Sequence, residues 1–404
     1  MISALLFAST LIAAQDSAPP DYPDHTDLSN VRDPEPRPIK AVADWEIRRR
    51  HIVKHMERVM GPMPGPERRA ALDVKVIEEK RVSHFSPLPA GGDGLGVRGQ
   101  RHVQGSLPAW AISEISLQPL GLPPQPRPLS SGGERGKKLI RKKITYQSDP
   151  DDRVPAYLFV PSERPAKKLP AILCLHQTTN VGKDEPAGLR GDAEMRYGLE
   201  LAERGYIVII PDYPSLGEHV FDFKAKTAYA SGSMKAIWDN RRAIDVLETL
   251  EDVDKDRIGV IGHSLGGHDG MFTAVFEPRI KVIVSSCGFT TFRKDDMPSW
   301  TGPRYMPRIA TQFKSDAKLV PFDFQEIVAA FAPRPFLACA AEKDDDFDVS
   351  GVRDVMKAAR AIYALHGAED RLAAHYPPGK HAFPAEARKT AYEFLDRHLK
   401  PSAK

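Results

Sequence analysis

Only three cysteines occur in 404 residues, and Cys174, Cys287 and Cys339 each stand in or at the end of an apolar run. An odd and sparse set makes no disulfide framework, so these are expected to be core thiols. Excess charge of one sign is missing too: 57 Lys and Arg against 54 Asp and Glu leave a net +3. That near balance offers no attractive field to nucleic acid or an anionic membrane, and no nucleic-acid partner is expected. Nor does any apolar run reach membrane-spanning length. The one candidate, Met1-Ile-Ser-Ala-Leu-Leu-Phe-Ala-Ser-Thr-Leu-Ile-Ala-Ala14, falls short of the roughly 20 residues a bilayer core requires, so no integral membrane span is expected. Its length and small final residues suit a signal peptide over residues 1–15, and the chain is read as secreted or periplasmic. No Lys or Arg precedes Arg32, an atypical start for such a signal, and a cytoplasmic enzyme is the alternative.

What is present, a 41% hydrophobic content, supplies a substantial core. Residues 16–85 form an N-terminal appendage: a helical pattern over 41–64 with Trp45, Ile52, Met56 and Met60, then a strand-like run over 72–77. Residues 86–137 are rich in Gly and Pro, hold no sustained period, and echo Pro87-Leu-Pro-Ala-Gly-Gly-Asp93 in Pro128-Leu-Ser-Ser-Gly-Gly-Glu134. This is expected to be a flexible insertion between two strands. From 138 to 404 strands and helices alternate. Strands are predicted at 143–147, 156–160, 171–175, 206–210, 257–262, 281–286, 335–340 and 372–376, and helices at 193–204, 231–250, 265–275, 351–366 and 385–399. That rhythm predicts a doubly wound, mostly parallel eight-stranded α/β sheet, whose ligands sit beyond the carboxyl ends of its strands.

Gly262-His-Ser-Leu-Gly266 stands where the predicted strand 257–262 gives way to a helix. A strand-to-helix turn this tight presents a serine hydroxyl clear of the sheet, and glycines two positions to either side avoid a collision. Ser264 is therefore the candidate nucleophile; the bland alternative is an ordinary glycine-rich turn. A hydroxyl attacks only when a base takes its proton. His381, in Pro377-Pro-Gly-Lys-His-Ala-Phe383 after the last strand, is the candidate base. His375 lies inside that strand, His366 ends a helix, His263 diverges from the nucleophile beside it, and His268 is one turn into the next helix. The base needs a carboxylate to fix its tautomer. Glu342, Asp344, Asp345, Asp346 and Asp348 all follow strand 335–340; Asp344 is favoured for its place a short loop beyond the strand end, with Asp346 and Asp345 as alternatives. Backbone donors for an oxyanion are expected at Leu265, after the nucleophile, and at Gln177 or Thr178 in the loop His176-Gln-Thr-Thr-Asn180.

On these residues the chain from about 140 to 400 resembles the α/β-hydrolases. Pro170-Ala-Ile-Leu-Cys-Leu-His176, Arg204-Gly-Tyr-Ile-Val-Ile-Ile-Pro-Asp-Tyr-Pro-Ser-Leu-Gly217, Asp256-Arg-Ile-Gly-Val-Ile-Gly-His-Ser-Leu-Gly-Gly267 and Ala332-Pro-Arg-Pro335 resemble the dienelactone hydrolase and acetyl xylan esterase-like branch, which borders on the prolyl oligopeptidase catalytic domain. The resemblance implies a serine hydrolase with Ser264, Asp344 and His381 as its triad and with no metal or organic cofactor. Dienelactone hydrolases carry cysteine at the elbow, so the serine here favours an ester hydrolase; the family's usual His-Gly is His176-Gln177.

A cap is expected over 288–329, rich in Phe289, Phe292, Trp300, Tyr305, Met306 and Phe313. Such aromatics either grip substrate or pack the cap, and His176, Thr178, Trp300 and Tyr305 are candidate pocket residues. The reading favours a carboxylic ester hydrolase acting on a small-molecule or carbohydrate ester. A prolyl oligopeptidase-like peptidase is the alternative, although residues 15–139 are too few for a propeller. A non-catalytic binding protein that kept the fold is a third reading.

Overall fold

In the computed structural model, residues 18–33, 35–82, 138–226 and 228–400 are described. The expected signal peptide and the whole of the expected insertion lie outside them. A nine-stranded sheet is formed by β1 (Lys75–Val82), β2 (Leu139–Asp149), β3 (Asp152–Pro161), β4 (Leu169–Leu175), β5 (Ile207–Pro211), β6 (Val253–His263), β7 (Ile280–Ser286), β8 (Phe336–Cys339) and β9 (Leu372–His375). Its spatial order is β9-β8-β7-β6-β4-β5-β3-β2-β1. The six strands from β9 to β5 pair in parallel, and β3, β2 and β1 continue the sheet antiparallel.

All eight predicted strands are present, but the sheet has nine. The ninth is β1, expected to belong to the appendage. It pairs with β2 at the sheet edge and is exposed on both faces along nearly its whole length. A strand wetted on both sides has no reason to alternate apolar and polar residues, so its sequence carries little signal.

The central strands are continuous apolar runs because helices cover both faces. Along β4, Ala171, Leu173 and Leu175 enter one core layer while Ile172 and Cys174 enter the other; Ile207 and Ile209 of β5 oppose Val208 and Ile210 in the same way. The first layer receives α1 (Val42–Met60), the second α2 (Tyr197–Glu203). Next, α3 (Gly232–Thr249) and α4 (Leu265–Phe276) join the first layer, followed by α5 (Phe324–Ala329) and α6 (Val349–Leu365); α7 (Ala385–Leu399) closes the second. The predicted helix 193–204 is instead a short 3-10 turn followed by α2, with Arg196 leaving helical geometry at ψ 27°.

The N-terminal segment docks through a buried ionic knot. Arg48 donates to Glu326 Oε1 at 3.0 Å and to the Asp27 and Asn30 carbonyls at 2.6 and 2.8 Å; both side chains of the pair are fully buried. His25 places Nδ1 on Glu326 Oε2 at 2.9 Å and Nε2 on the Val320 carbonyl at 3.0 Å, so both its nitrogens face acceptors. Replacing one member strands the other charges in the interior, which costs about 3–5 kcal/mol. Glu326→Ala should lose that much in a denaturant unfolding measurement; a loss below about 1 kcal/mol would contradict the role given to this knot.

Candidate active site

The chain runs from β4 outward to β5, crosses back over β4 to β6, and continues through β7, β8 and β9 on that side. The direction of winding thus reverses between β4 and β6, and such a point leaves a crevice at the carboxyl edge. Ser264 stands at that end of β6. Its backbone is at φ 54°, ψ −120°, a strained conformation for a residue with a side chain. The strain is held by close packing. A Cβ at Gly262 would lie 2.1 Å from the Gly266 carbonyl oxygen, and one at Gly266 would lie 2.0 Å from that of Leu175. Backbone bonds complete the turn: Ser264 N donates to Ser286 O at 2.9 Å, and Ser264 O accepts from Gly267 N at 2.8 Å.

Two loops bring the other candidates to the same edge. The loop after β8 carries Asp344 and the loop after β9 carries His381; Glu342 N and Lys343 N donate across to Pro377 O and Gly379 O, each at 2.9 Å. His381 Nδ1 donates to Asp344 Oδ1 at 2.9 Å, and that oxygen also accepts from Asp346 N and Phe347 N at 2.9 and 3.1 Å. The remaining acids are engaged elsewhere or face the wrong way. Glu342 pairs with Arg353, Asp345 with Lys380, and Asp348 caps α6, while Asp346 approaches His381 from the Nε2 side at 3.9 Å. His263 packs its ring 4.9 Å from that of His381, which seats the imidazole beside the elbow. Ser264 Oγ and His381 Nε2 make no hydrogen bond among the described residues, and such contacts commonly tighten only once substrate is bound.

Burial works against a charged His381, but the bond to Asp344 and the charges of Asp344, Asp346 and Asp345 outweigh it and hold the imidazole above its ordinary 6.5. Asp344 responds in kind: burial opposes its charge, yet His381 and the two backbone donors keep it below the usual carboxylate range.

The candidate oxyanion donors sit across the crevice. Leu265 opens α4, where the first N–H groups have no intrahelical partner. Gln177 begins the loop after β4, and that loop is fixed from several sides. His176 donates Nδ1–H to Gln177 O at 2.7 Å and accepts from Tyr213 N at 2.9 Å, while Gln177 Nε2 donates to Glu185 at 3.0 Å. His176, expected to line the pocket, is therefore a buried pin. Trp300, expected there as well, is 4% exposed and donates Nε1–H to Asp295, as part of the packed cap with buried Phe289, Phe292, Met306 and Phe313. Thr178 and Tyr305, the other two candidates, are joined hydroxyl to hydroxyl at 3.2 Å.

Two neighbours escaped the sequence reading. His263 bonds Ser286 Oγ at 3.1 Å and is pushed down to about 3 by burial, so it packs against His381 uncharged. Cys287 takes a positive φ of 43° and brings its sulfur within 4.8 Å of Asp344 and His381. A composition of ligating atoms thus exists there, but the carboxylate and imidazole already bond each other; a second such group, Asp152, His219 and Asp239, encloses the ammonium of Lys235. All three cysteines are free and buried.

Comparison with known proteins agrees with this architecture. A family model described as glucuronyl esterase, fungi, matches residues 218–367. The Bacillus subtilis protein YtaP, named as a hydrolase, is 27% identical over 304 residues, covering 69% of this chain and 96% of its own. A 4-O-methyl-glucuronoyl methylesterase of Wolfiporia cocos is 27% identical over 210 residues; the match covers 46% of this chain and 51% of that protein. Among solved structures, a CE15 glucuronoyl esterase from Teredinibacter turnerae superposes with TM-score 0.61 at 18% identity, over 92% of this chain and 88% of the other. These likenesses show the α/β-hydrolase fold in this chain, and the proteins it resembles are named as hydrolases and esterases. Among the described residues of this α/β-hydrolase, no helix is long and apolar enough to cross a membrane.

A raised His381 has a measurable consequence. Its imidazole should titrate with a midpoint above 6.5 by NMR, and because a general base must be neutral, kcat/KM should fall as pH drops through that midpoint. Asp344→Asn removes the principal group that raises it, so the midpoint should move down; an unchanged midpoint would discard Asp344 as the partner.

Proposed function

We propose that this α/β-hydrolase cleaves carboxylic esters carried on carbohydrate, through an acyl-enzyme on Ser264. Ser264 Oγ attacks the ester carbonyl as His381 Nε2 takes its proton, and Asp344 steadies the imidazolium. The oxyanion is received by the N–H groups of Leu265 and Gln177. Collapse expels the alcohol, which takes the proton back from His381, and water then releases the acid by the same route. The observation that carries this reading is the strained Ser264 at the head of α4 with the His381–Asp344 bond on the neighbouring loops.

The substrate class follows from the relatives. Proteins named glucuronoyl esterase or methylesterase support a uronic-acid ester, in which the sugar supplies the acyl half. Thr178 and Tyr305 are then the pocket residues that meet it, and residues 138–404 form the catalytic unit with 288–329 as its cap. Residues 1–15 serve as an export signal, consistent with a substrate outside the cell.

A substrate panel tests this. The methyl ester of glucuronic acid should be turned over with higher kcat/KM than an acetylated xylo-oligosaccharide, a short-chain aryl ester or a proline-containing peptide. Ser264→Ala should lose on the order of 10⁶ in kcat, as dismantled triads do. Cleavage of the peptide with no ester turned over would overturn the esterase reading, and undiminished ester turnover in Ser264→Ala would overturn the nucleophile.

A further inference from the structure

His381 has a carboxylate on each side. Asp344 holds Nδ1 at 2.9 Å, while Asp346 lies opposite, its Oδ2 3.9 Å from Nε2. That is too long for a hydrogen bond, so Asp346 does not fix the ring. Among the described residues no Lys or Arg pairs with it either. Lys380, the cation beside His381 in the chain, takes Asp345, and Arg353 takes Glu342. The Asp346 side chain is 66% exposed, and the acids around it, Asp344, Asp345 and Asp295, carry the same sign. Like charges this close disfavour one another, so nothing in the loop itself accounts for a carboxylate at Nε2.

The proposed reaction brings a charge before it. In the deacylation half, His381 Nε2 takes a proton from water as the water oxygen bonds to the acyl carbon. The bond from that carbon to Ser264 Oγ then breaks, and Oγ takes the proton back. To pass its proton the water must stand within about 3.2 Å of Nε2. Its oxygen becomes a carboxyl oxygen of the acid, which therefore forms no more than about 7 Å from Asp346 Oδ2. Carboxyl groups ordinarily ionise near about pH 4, so at neutral pH the acid yields its remaining proton to solvent and becomes an anion. The ester group that entered carried no charge.

We propose that Asp346 discriminates product from substrate: its charge repels the carboxylate that hydrolysis creates beside His381 Nε2 and leaves the neutral ester group unopposed. This rests on the acyl-enzyme route proposed above and holds for whichever ester that route cleaves. Direct contact is not needed, because two unit charges about 7 Å apart repel even in bulk water, and salt screens the effect only in part.

Product inhibition tests it. For an ester that the full chain turns over, inhibition constants are measured for its free acid and for the corresponding primary amide, at low salt and well above the His381 midpoint. That pH keeps the imidazole neutral in every variant; below it an imidazolium would itself attract the acid, and loss of Asp346 would also lower its proton affinity. Asp346→Asn should tighten inhibition by the acid at least about threefold relative to the amide, the repulsion of unit charges about 7 Å apart in water, and high salt should shrink the change. Asp346→Glu, which restores the charge, should return the ratio toward wild type. An unchanged acid-to-amide ratio in Asp346→Asn would overturn the proposal, as would acid and amide tightened alike or a ratio that Asp346→Glu does not bring back. If no ester is turned over, the esterase reading falls and takes this one with it; turnover with an unchanged ratio removes the role of Asp346 alone.

Discussion

One backbone conformation governs the rest of this structure: the left-handed turn at Ser264. A residue with a side chain adopts it at a cost of order 1–3 kcal/mol, and keeps it only when its surroundings leave no alternative. Here they leave none. Gly262 meets the Gly266 backbone, and Gly266 meets the Leu175 carbonyl, so the turn is wedged between the ends of β4 and β6. The same wedge presses the start of α4 against the loop that carries Gln177. A single steric arrangement therefore holds the strained serine and packs the start of α4 against the end of β4.

Around this turn the protein arranges charge rather than apolar surface. Asp344 is given three donors on one oxygen, which fixes where His381 points. The rings of His263 and Phe347 flank that imidazole at 4.9 and 5.9 Å, with His263 held neutral by burial so that it packs without repelling. The carboxylates raise the affinity of His381 for a proton, which is what the proposed role as general base requires. Without that surrounding negative charge, burial alone would make the imidazole a weaker base.

The positions of Ser264, Asp344 and His381 were legible because the first follows a strand directly and the others lie a short loop beyond one, and parallel strands deliver their carboxyl ends to one edge. Periodicity also placed the other eight strands, most plainly the central ones, where burial on both faces leaves an apolar run. The failures have physical causes. Strand β1 is exposed on both faces along nearly its whole length, so the strand-like run read over 72–77 caught only its first three residues. The positive φ of Cys287 and the packing of His263 against His381 arise from tertiary contacts that no local rule encodes. Trp300 and His176 are residue types equally at home in a pocket or in a satisfied interior, and only their partners, Asp295 in one case and Gln177 with Tyr213 in the other, decide between the two.

Those partners also explain how the cap acts on the site. Its segment around Arg304 is seated on the start of α3: Gly232 N donates to Pro303 O at 2.9 Å, and a Cβ at Gly232 would lie 2.1 Å from the Arg304 carbonyl oxygen. Tyr213 donates to that same carbonyl at 2.7 Å, and Arg304 reaches Ser215 at 2.9 Å. Backbone contacts of this kind do not yield to side-chain rearrangement, so this segment of the proposed cap is held against α3. Beyond it, α5 carries Glu326 into the buried knot with Arg48 and His25, which fastens the N-terminal segment to the same side of the molecule. If the proposed pocket lies along that cap segment, discrimination between substrates falls to side chains beside it, and the bond between the Thr178 and Tyr305 hydroxyls is one that a bound substrate would compete with.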